Sequence, residues 1–225
     1  MKGIISATIL ISLFFALGCG NNNSNNLNTA EKEKNDTASK TENSRTIVFF
    51  GNSLTAGYGL TPAEAFPALI QQKIDSLNLD YTVVNAGVSG ETSSGGTSRI
   101  DWILRQKPDL FVLELGANDG LRGIPLDETK KNLQVIIDKV KLKNAAVKIL
   151  IAGMQIPPNM GQKYSLQFRE IFPLLAKENN GMLIPFLLEG VGGEVKLNQQ
   201  DGIHPTAEGH KIVAENVWKE MQKLL

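Results

Sequence analysis

The sequence predicts an α/β fold with three layers, in which helices cover both faces of a five-stranded parallel sheet. Two observations support this prediction. Five short apolar runs are rich in β-branched and aromatic residues and lack polar alternation, which is typical of strands buried on both faces. Longer segments with helical spacing of apolar residues separate these runs. Such strand–helix alternation favours right-handed crossovers and a parallel sheet.

The predicted elements follow one another along residues 46–225, which we expect to form one domain. The strands are predicted at 47–50, 81–84, 110–115, 147–152 and 182–186. Four helices are predicted from apolar stripes that we expect in the core: Phe66, Leu69, Ile70, Ile74 and Leu77; Leu133, Ile136, Ile137 and Val140; Phe168, Ile171, Phe172 and Leu175; Ile212, Val213, Val217, Trp218 and Met221. Pro62 favours a start of the first helix near Thr61, and Asp127 is the predicted N-cap of the second.

Residues 1–18 predict an export signal. Lys2 precedes an apolar stretch of about fourteen residues, which is shorter than the roughly 20 that span a bilayer. The alternative, a buried helix of the domain, is disfavoured because the polar residues that follow do not connect it to a core. The segment Ala16–Cys19 resembles the lipobox of bacterial lipoproteins, with its leucine one place later than usual. That resemblance implies cleavage before Cys19 and acylation of its thiol; plain secretion is the alternative.

Residues 19–45 predict a tether between this anchor and the domain. The segment is rich in Asn, Lys and Glu and has almost nothing to bury, so burial cannot offset the cost of ordering it. As a flexible coil its ends would lie about 25–30 Å apart. We therefore expect an exported, membrane-anchored lipoprotein of the bacterial cell envelope. The chain carries 23 basic and 23 acidic residues without a basic block, so a nucleic-acid partner is not expected. We expect a monomer.

Residues that directly follow the strands are the candidates for chemistry, because ligands of open parallel sheets bind at the carboxyl ends of the strands. Ser53 comes three residues after the first predicted strand, but a serine hydroxyl needs a base to become a nucleophile. His204 is the candidate base, and Asp201, three residues earlier, can orient its ring. An ordinary turn is the alternative for each motif. The other histidine, His210, is expected to be structural.

An acyl-transfer site also needs donors for the oxyanion of the tetrahedral intermediate. The side-chain amide of Asn118 and the backbone N–H groups of Gly90 and Ser53 are the candidates; for Asn118, a structural Asx-turn is the alternative. The sequence lacks the Gly-x-Ser-x-Gly elbow, a phosphate-binding loop and a convincing dinucleotide motif. Two histidines and one cysteine do not supply a typical zinc site, so neither a metal nor a cofactor is expected.

Four motifs in order resemble the four blocks of the SGNH, or GDSL, hydrolase family: Gly51–Leu54, Gly87–Gly90, Gly116–Asp119 and Asp201–Pro205. The resemblance covers about residues 46–222. It implies a flavodoxin-like fold without a cofactor, with Ser53, Asp201 and His204 as the triad and Ser53, Gly90 and Asn118 as oxyanion donors. One position departs from the pattern, since Asn52 stands where the family usually has aspartate. This departure puts in doubt any role that needs a carboxylate beside Ser53.

Within this family, the longer segments 85–92 and 114–123 resemble a branch of periplasmic thioesterases, lysophospholipases and arylesterases. In that branch, the segment after the fourth strand lines an acyl groove, which implies substrate contacts for Met154, Ile156, Pro157 and Met160; an ordinary half-buried loop is the alternative. We therefore expect a serine esterase for short to medium acyl esters, lysophospholipids or acyl thioesters. A deacetylase of sugars or cell-wall polymers and a non-catalytic surface binding lipoprotein are the alternatives.

Overall fold

The computed structural model describes residues 44–157 and 160–225. The predicted signal segment, Cys19 and the tether up to residue 43 lie outside the described residues. In the part that the structure describes, no helix combines the length and the apolar character needed to cross a bilayer.

Five parallel strands form one sheet, as the sequence predicts. They are β1 Arg45–Gly51, β2 Tyr81–Gly87, β3 Leu110–Glu114, β4 Lys148–Ala152 and β5 Met182–Ile184, in the spatial order β2-β1-β3-β4-β5. In register, Ile47 pairs with Val83 on one side and with Leu110 on the other. Strand β1 begins one residue before the predicted domain start at 46. Strand β5 ends two residues before the predicted end, directly before Pro185, which has no N–H to donate to a ladder.

Seven α-helices occur in the described residues: α1 Ser53–Ala56, α2 Phe66–Ser76, α3 Ser93–Ile103, α4 Ala117–Leu121, α5 Leu126–Lys143, α6 Gln162–Glu178 and α7 Ala207–Met221. Helix α2 packs against α7, whereas α3 packs against α5 and α5 against α6. These two groups of helices cover the two faces of the sheet, so the predicted three-layer α/β/α fold is confirmed. The four predicted apolar stripes lie on α2, α5, α6 and α7, with one exception: Leu77 was expected in the core but follows the last residue of α2 as its C-cap and is 53% exposed.

Two predicted helix starts are wrong by a few residues. Near Thr61 the chain forms a short 3-10 turn, Pro62–Glu64, which the Glu64 carboxylate closes by accepting from the Thr61 N–H. Helix α2 begins only at Phe66. Helix α5 is capped by Pro125, so Asp127 lies inside its first turn, where a negative charge is favourable near the positive end of the helix dipole.

The core has an aromatic centre on β1. The Phe49 ring meets Phe66 of α2 edge-on at 5.5 Å, and the Phe50 ring lies 5.6 Å from Phe111 of β3. Adjacent residues of a strand point to opposite faces of the sheet, so the Phe49 ring packs in one helix layer and the Phe50 ring in the other. Strand β1 is also the point where the strand order reverses: β2 lies on one side of it, and β3 and the later strands lie on the other. In open parallel sheets, the crevice at such a point is where ligands bind.

Candidate active site

Ser53 lies at this crevice, as the first residue of α1 directly after β1. Its side chain is nearly buried, with 8% of the residue exposed. Asn52 caps α1, because its Oδ1 accepts from the Leu54 N–H at 2.9 Å; the Ser53 hydroxyl lies 3.4 Å from the same oxygen. The N–H of Ser53 belongs to the first helical turn, where amides have no intrahelical acceptor. It is therefore available to a ligand.

His204 connects Ser53 to Asp201. Its Nε2 lies 2.8 Å from Ser53 Oγ, and its Nδ1 lies 2.6 Å from Asp201 Oδ2. The other carboxylate oxygen, Oδ1, accepts from the backbone N–H groups of His204 at 3.0 Å and Ile203 at 2.9 Å. These contacts lower the pKa of Asp201 to about 2; the largest cause is the His204 N–H, followed by its side chain and the Ile203 N–H. The structure thus brings all three predicted residues into one chain of hydrogen bonds.

The His204 loop is held at both ends. Gly202 adopts a φ of +69°, which allows the sharp bend between Asp201 and His204. Gln199 N–H donates to the His204 carbonyl at 2.7 Å, and Thr206 caps α7. The ring of Tyr58 packs on the His204 imidazole with centroids 4.5 Å apart. The backbone carbonyl of Tyr58 accepts a hydrogen bond from the Gln199 side chain. Sequence reasoning missed Tyr58, because a single half-exposed tyrosine in a turn carries no signal of its partner.

Two hydrogen bonds join the segments that carry the candidate oxyanion donors Gly90 and Asn118. Asn118, the second residue of α4, donates one amide hydrogen to the Glu91 carbonyl at 2.9 Å, which leaves its second hydrogen for a ligand. Gly90 has a φ of +78°, and its carbonyl accepts from Arg122 at 3.0 Å. Val88 N–H donates to the Gly51 carbonyl at 2.9 Å, which ties the loop after β2 to the end of β1 beside Ser53.

An ion pair between Glu91 and Arg99 holds the loop after β2 in place. The Glu91 side chain is only 6% exposed; Arg99 Nε donates to its Oε1 at 2.6 Å, and Arg99 Nη2 contacts its Oε2. The same Nη2 donates to the Ala86 carbonyl of β2 at 2.8 Å. Sequence reasoning missed this ion pair, because the two residues lie eight positions apart in a segment without clear helical spacing.

Two buried carboxylates lie behind the site. Asp119 is fully buried and accepts from the Ser93 hydroxyl at 2.5 Å and the Ser93 N–H at 2.8 Å, which joins α4 to α3. Glu114, the last residue of β3, accepts from Asn52 and Thr55. Burial raises the pKa of Glu114 to about 7, against the effect of these hydrogen bonds. Across residues 44–157 and 160–225, no group of three or more His, Cys, Asp or Glu side chains is placed to hold a metal ion.

A cavity of about 540 Å³ opens beside Ser53, His204 and Asn118. Of the predicted substrate contacts, Met154, Ile156 and Pro157 line it. Met160 lies outside this lining, with 45% of the residue exposed. Further lining residues were not predicted: Leu121 belongs to α4, and the others come from the segment between β5 and α7, namely Phe186, Leu188, Gly192, Gly193 and Ile203.

Comparison with known proteins agrees with this geometry. The model of the GDSL-like Lipase/Acylhydrolase family matches residues 49–212. The chain belongs to this family. It is 40% identical to Esterase TesA of Pseudomonas aeruginosa over 182 residues, which cover 80% of this chain and 90% of that protein. It is 38% identical to Thioesterase 1/protease 1/lysophospholipase L1 of Escherichia coli K12 over 181 residues, which cover 80% of this chain and 85% of that protein.

The fold comparison gives the same family. The crystal structure of TesA superposes with a TM-score of 0.77 at 39% identity, over 80% of this chain and 100% of that one. The family match begins within β1 at residue 49 and ends within α7 at residue 212, and therefore includes all four motifs. In this GDSL-like chain, the position before the serine is occupied by Asn52, whose side-chain amide donates to Glu114.

Proposed function

We propose that the protein hydrolyses carboxylic esters through an acyl-enzyme at Ser53, with His204 as the general base and Asp201 as its orienting partner. The observation that carries this proposal is the position of the His204 ring, whose two nitrogens lie within hydrogen-bond reach of Ser53 Oγ and Asp201 Oδ2. Family membership and relatives named esterase and thioesterase support ester hydrolysis.

The proposed chemistry follows from the hydrogen bonds. The Asp201 carboxylate can only accept, so it keeps a proton on His204 Nδ1 and leaves the Nε2 lone pair facing the serine. Ser53 Oγ attacks the ester carbonyl carbon while its proton moves to Nε2. The tetrahedral oxyanion receives hydrogen bonds from the N–H groups of Ser53 and Gly90 and from the Asn118 amide. Collapse of this intermediate breaks the ester bond, and the leaving alcohol takes the proton from Nε2. Water then attacks the acyl-enzyme by the same route and releases the acid.

The cavity supports acyl chains of short to medium length as the preferred substrates. Its size lies in the range of small-molecule sites, and its lining is mostly apolar and includes Met154, Ile156, Phe186 and Leu188. An acetyl group would leave most of this space empty, which favours acyl esters over acetylated glycans. We extend the proposal to lysophospholipids and acyl thioesters, because the Escherichia coli relative carries both activities in its name.

We also propose that the mature protein is a lipoprotein anchored through Cys19 and is a monomer. The segment Ala16–Cys19 supports the anchor, and the polar residues after it supply the tether. Strand β1 begins with Arg45 at the amino edge of the sheet, whereas Ser53 lies at the carboxyl edge. Mass spectrometry of the membrane-extracted protein tests the anchor, and an unmodified Cys19 thiol would disprove it.

The decisive experiment measures hydrolysis of p-nitrophenyl esters with acyl chains from acetate to laurate. We expect wild type to be active with a preference for intermediate lengths, and Ser53→Ala to be inactive. Ser76→Ala is the matched control, because Ser76 is exposed at the end of α2 and contacts only its own helix. Equal rates for wild type and Ser53→Ala, or a loss in Ser76→Ala equal to that in Ser53→Ala, would refute the assignment of Ser53.

A further inference from the structure

Glu114 receives hydrogen bonds from both sides of Ser53. Its Oε1 accepts from the Asn52 side-chain amide at 2.7 Å, and its Oε2 accepts from the Asn52 N–H at 3.1 Å. The same Oε2 accepts from the Thr55 hydroxyl at 2.8 Å and the Thr55 N–H at 3.3 Å. Four donors therefore converge on one carboxylate that is only 1% exposed. The turn that carries Ser53 is fastened to the end of β3 through this group.

The backbone makes room for this carboxylate. A Cβ on Gly51 would lie 2.5 Å from Glu114 Oε2 and closer still to Thr55 Oγ1, distances that real Cβ atoms do not show. Glycine at this position therefore allows Glu114 to reach the turn. We conclude that Gly51 is needed for this contact.

The orientation of the Asn52 amide is fixed by its other contact. Its Oδ1 accepts from the Leu54 N–H at 2.9 Å, so its Nδ2 must face Glu114. Three of the four groups around Glu114 are N–H groups, which can only donate, and the Thr55 hydroxyl donates as the fourth. A carboxylate, which only accepts, matches all four, whereas a protonated carboxyl could direct its O–H only to the Thr55 hydroxyl oxygen.

We propose that Glu114 is the positioning residue for the turn of the proposed nucleophile, and that Asn52 allows it to act as an anion into the alkaline range. This inference rests on the proposed role of Ser53. It concerns a residue that does not touch substrate and acts through the position of Ser53 Oγ.

The electrostatic surroundings fit this role. Burial raises the pKa of Glu114 to about 7, and the hydrogen bonds from Thr55 and Asn52 oppose it. In the described part of the chain no Lys, Arg or His forms an ion pair with Glu114. Arg99 of α3 contacts Glu91 and the carbonyls of Gly51 and Ala86, and the His204 ring contacts Ser53 and Asp201. The negative charge of Glu114 is therefore balanced by amide and hydroxyl dipoles alone.

An aspartate at position 52 would change this balance. Its second oxygen would face Glu114 Oε1 across the 2.7 Å that the amide now spans, and two carboxylates at that distance must share a proton. As pH rises, the pair loses this proton, and repulsion separates the Ser53 turn from β3. Asparagine removes the need for the shared proton.

The test compares the pH profiles of kcat/KM for p-nitrophenyl butyrate from pH 6 to 10 in wild type, Asn52→Asp, Glu114→Gln and the double variant, after subtraction of the Ser53→Ala rate. We expect a plateau above pH 8 in wild type. In Asn52→Asp, activity should fall about tenfold per pH unit above the pKa of the pair. The double variant should regain the plateau, because the amide introduced at position 114 then donates to the carboxylate introduced at position 52. Glu114→Gln alone should lose activity at every pH, because the side-chain amide introduced at position 114 then competes with the Asn52 amide, and both have an NH₂ group to donate.

A plateau in Asn52→Asp up to pH 10, or a double variant that declines as Asn52→Asp does, overturns the inference. A second measurement is independent of activity: thermal melting in the Ser53→Ala background. Asn52→Asp should lower the melting temperature progressively from pH 7 to 9.5, and the double variant should not. If wild type shows no Ser53-dependent hydrolysis, the proposed function fails, while the melting series still tests the Glu114 pair.

Should Asn52→Asp not fold, Thr55 provides a milder change. Thr55→Val removes one donor at nearly constant volume and should lower kcat about tenfold with little effect on KM. Thr55→Ser, which keeps the hydroxyl, should recover most of that loss. Equal kcat in Thr55→Val and wild type would overturn the positioning role.

Discussion

Replacement of Asp201 by asparagine separates the charge of this residue from its geometry. In wild type, Asp201 Oδ1 accepts two backbone N–H groups at 2.9 and 3.0 Å, and Oδ2 faces His204 Nδ1 at 2.6 Å. An asparagine will keep its oxygen toward the two backbone donors. Its NH₂ group will then face Nδ1 and hold the imidazole with its proton on Nε2, where it cannot accept the proton of Ser53.

The size of the effect follows from these contacts. Turning the amide to restore the active tautomer leaves two backbone donors without an acceptor, which costs about 2–3 kcal/mol at the low end expected for a partly exposed site. The lost charge no longer stabilises the imidazolium, which adds about 1.5–3 kcal/mol. The sum of about 3.5–6 kcal/mol corresponds to a fall in kcat of about 400- to 25,000-fold.

The assay is kcat for p-nitrophenyl butyrate at pH 8, with the melting temperature as the control for folding. Asp201→Ala is the comparison, because alanine leaves the tautomer free and should lose less activity than asparagine. An Asp201→Asn enzyme that keeps more than about a tenth of wild-type kcat would refute the idea that this carboxylate sets the tautomer.

Further predictions concern other parts of the chain. Asn118→Ala should lower kcat about 10²- to 10³-fold with little change in KM, as expected for a donor used in the transition state. Burial lowers the pKa of His210 from 6.5 to about 4, so between these two pH values the folded state binds fewer protons than the unfolded chain. The contribution of His210 to stability should therefore fall by up to about 3 kcal/mol as pH drops from 6.5 to 4, while the raised pKa of Glu114 acts in the opposite direction, and His210→Gln should remove the His210 contribution in denaturant titrations. Leu188→Trp should raise KM for octanoyl esters about tenfold or more while sparing acetyl esters. Cys19→Ser should move the protein from the membrane fraction to the soluble fraction.

The sheet was predictable from sequence because each strand is a local apolar run. Each of the five runs became a strand, since the composition of a strand buried on both faces depends little on its partners. Boundaries were less predictable. The start of α2 shifted from Thr61 to Phe66, because a capping residue followed by proline opens a 3-10 turn as readily as an α-helix. Helix α3 was not predicted, because Gly95 and Gly96 interrupt its spacing; a Cβ at Gly96 would overlap Leu115.

The active site likewise has a part that the sequence predicts and a part that it does not. Ser53, Asn118 and His204 follow strands or lie in a short motif, so topology alone predicts that they lie near one another at the carboxyl edge. The groups that hold them were missed. Glu91 and Arg99, Glu114 and Thr55, and Tyr58 and His204 are pairs that form only after the chain has folded, and no spacing in the sequence indicates them. The lining residue Phe186 was missed for another reason, since the segment after β5 carries no motif that marks it as part of a site.

The two halves of the site differ in how they depend on the fold. Ser53 and its proposed oxyanion donors rest on buried polar groups, Glu114 and Asp119, that join the ends of the central strands to α1, α3 and α4. Removal of either carboxylate leaves buried donors without an acceptor and should destabilise the whole domain. Asp201 lies on a loop with 38% of its side chain exposed, so its substitutions should alter the chemistry without unfolding the protein. A loss of activity at 201 can therefore be interpreted as catalytic, whereas a loss at 114 requires the pH profile and the charge-exchanged double variant before any role is assigned.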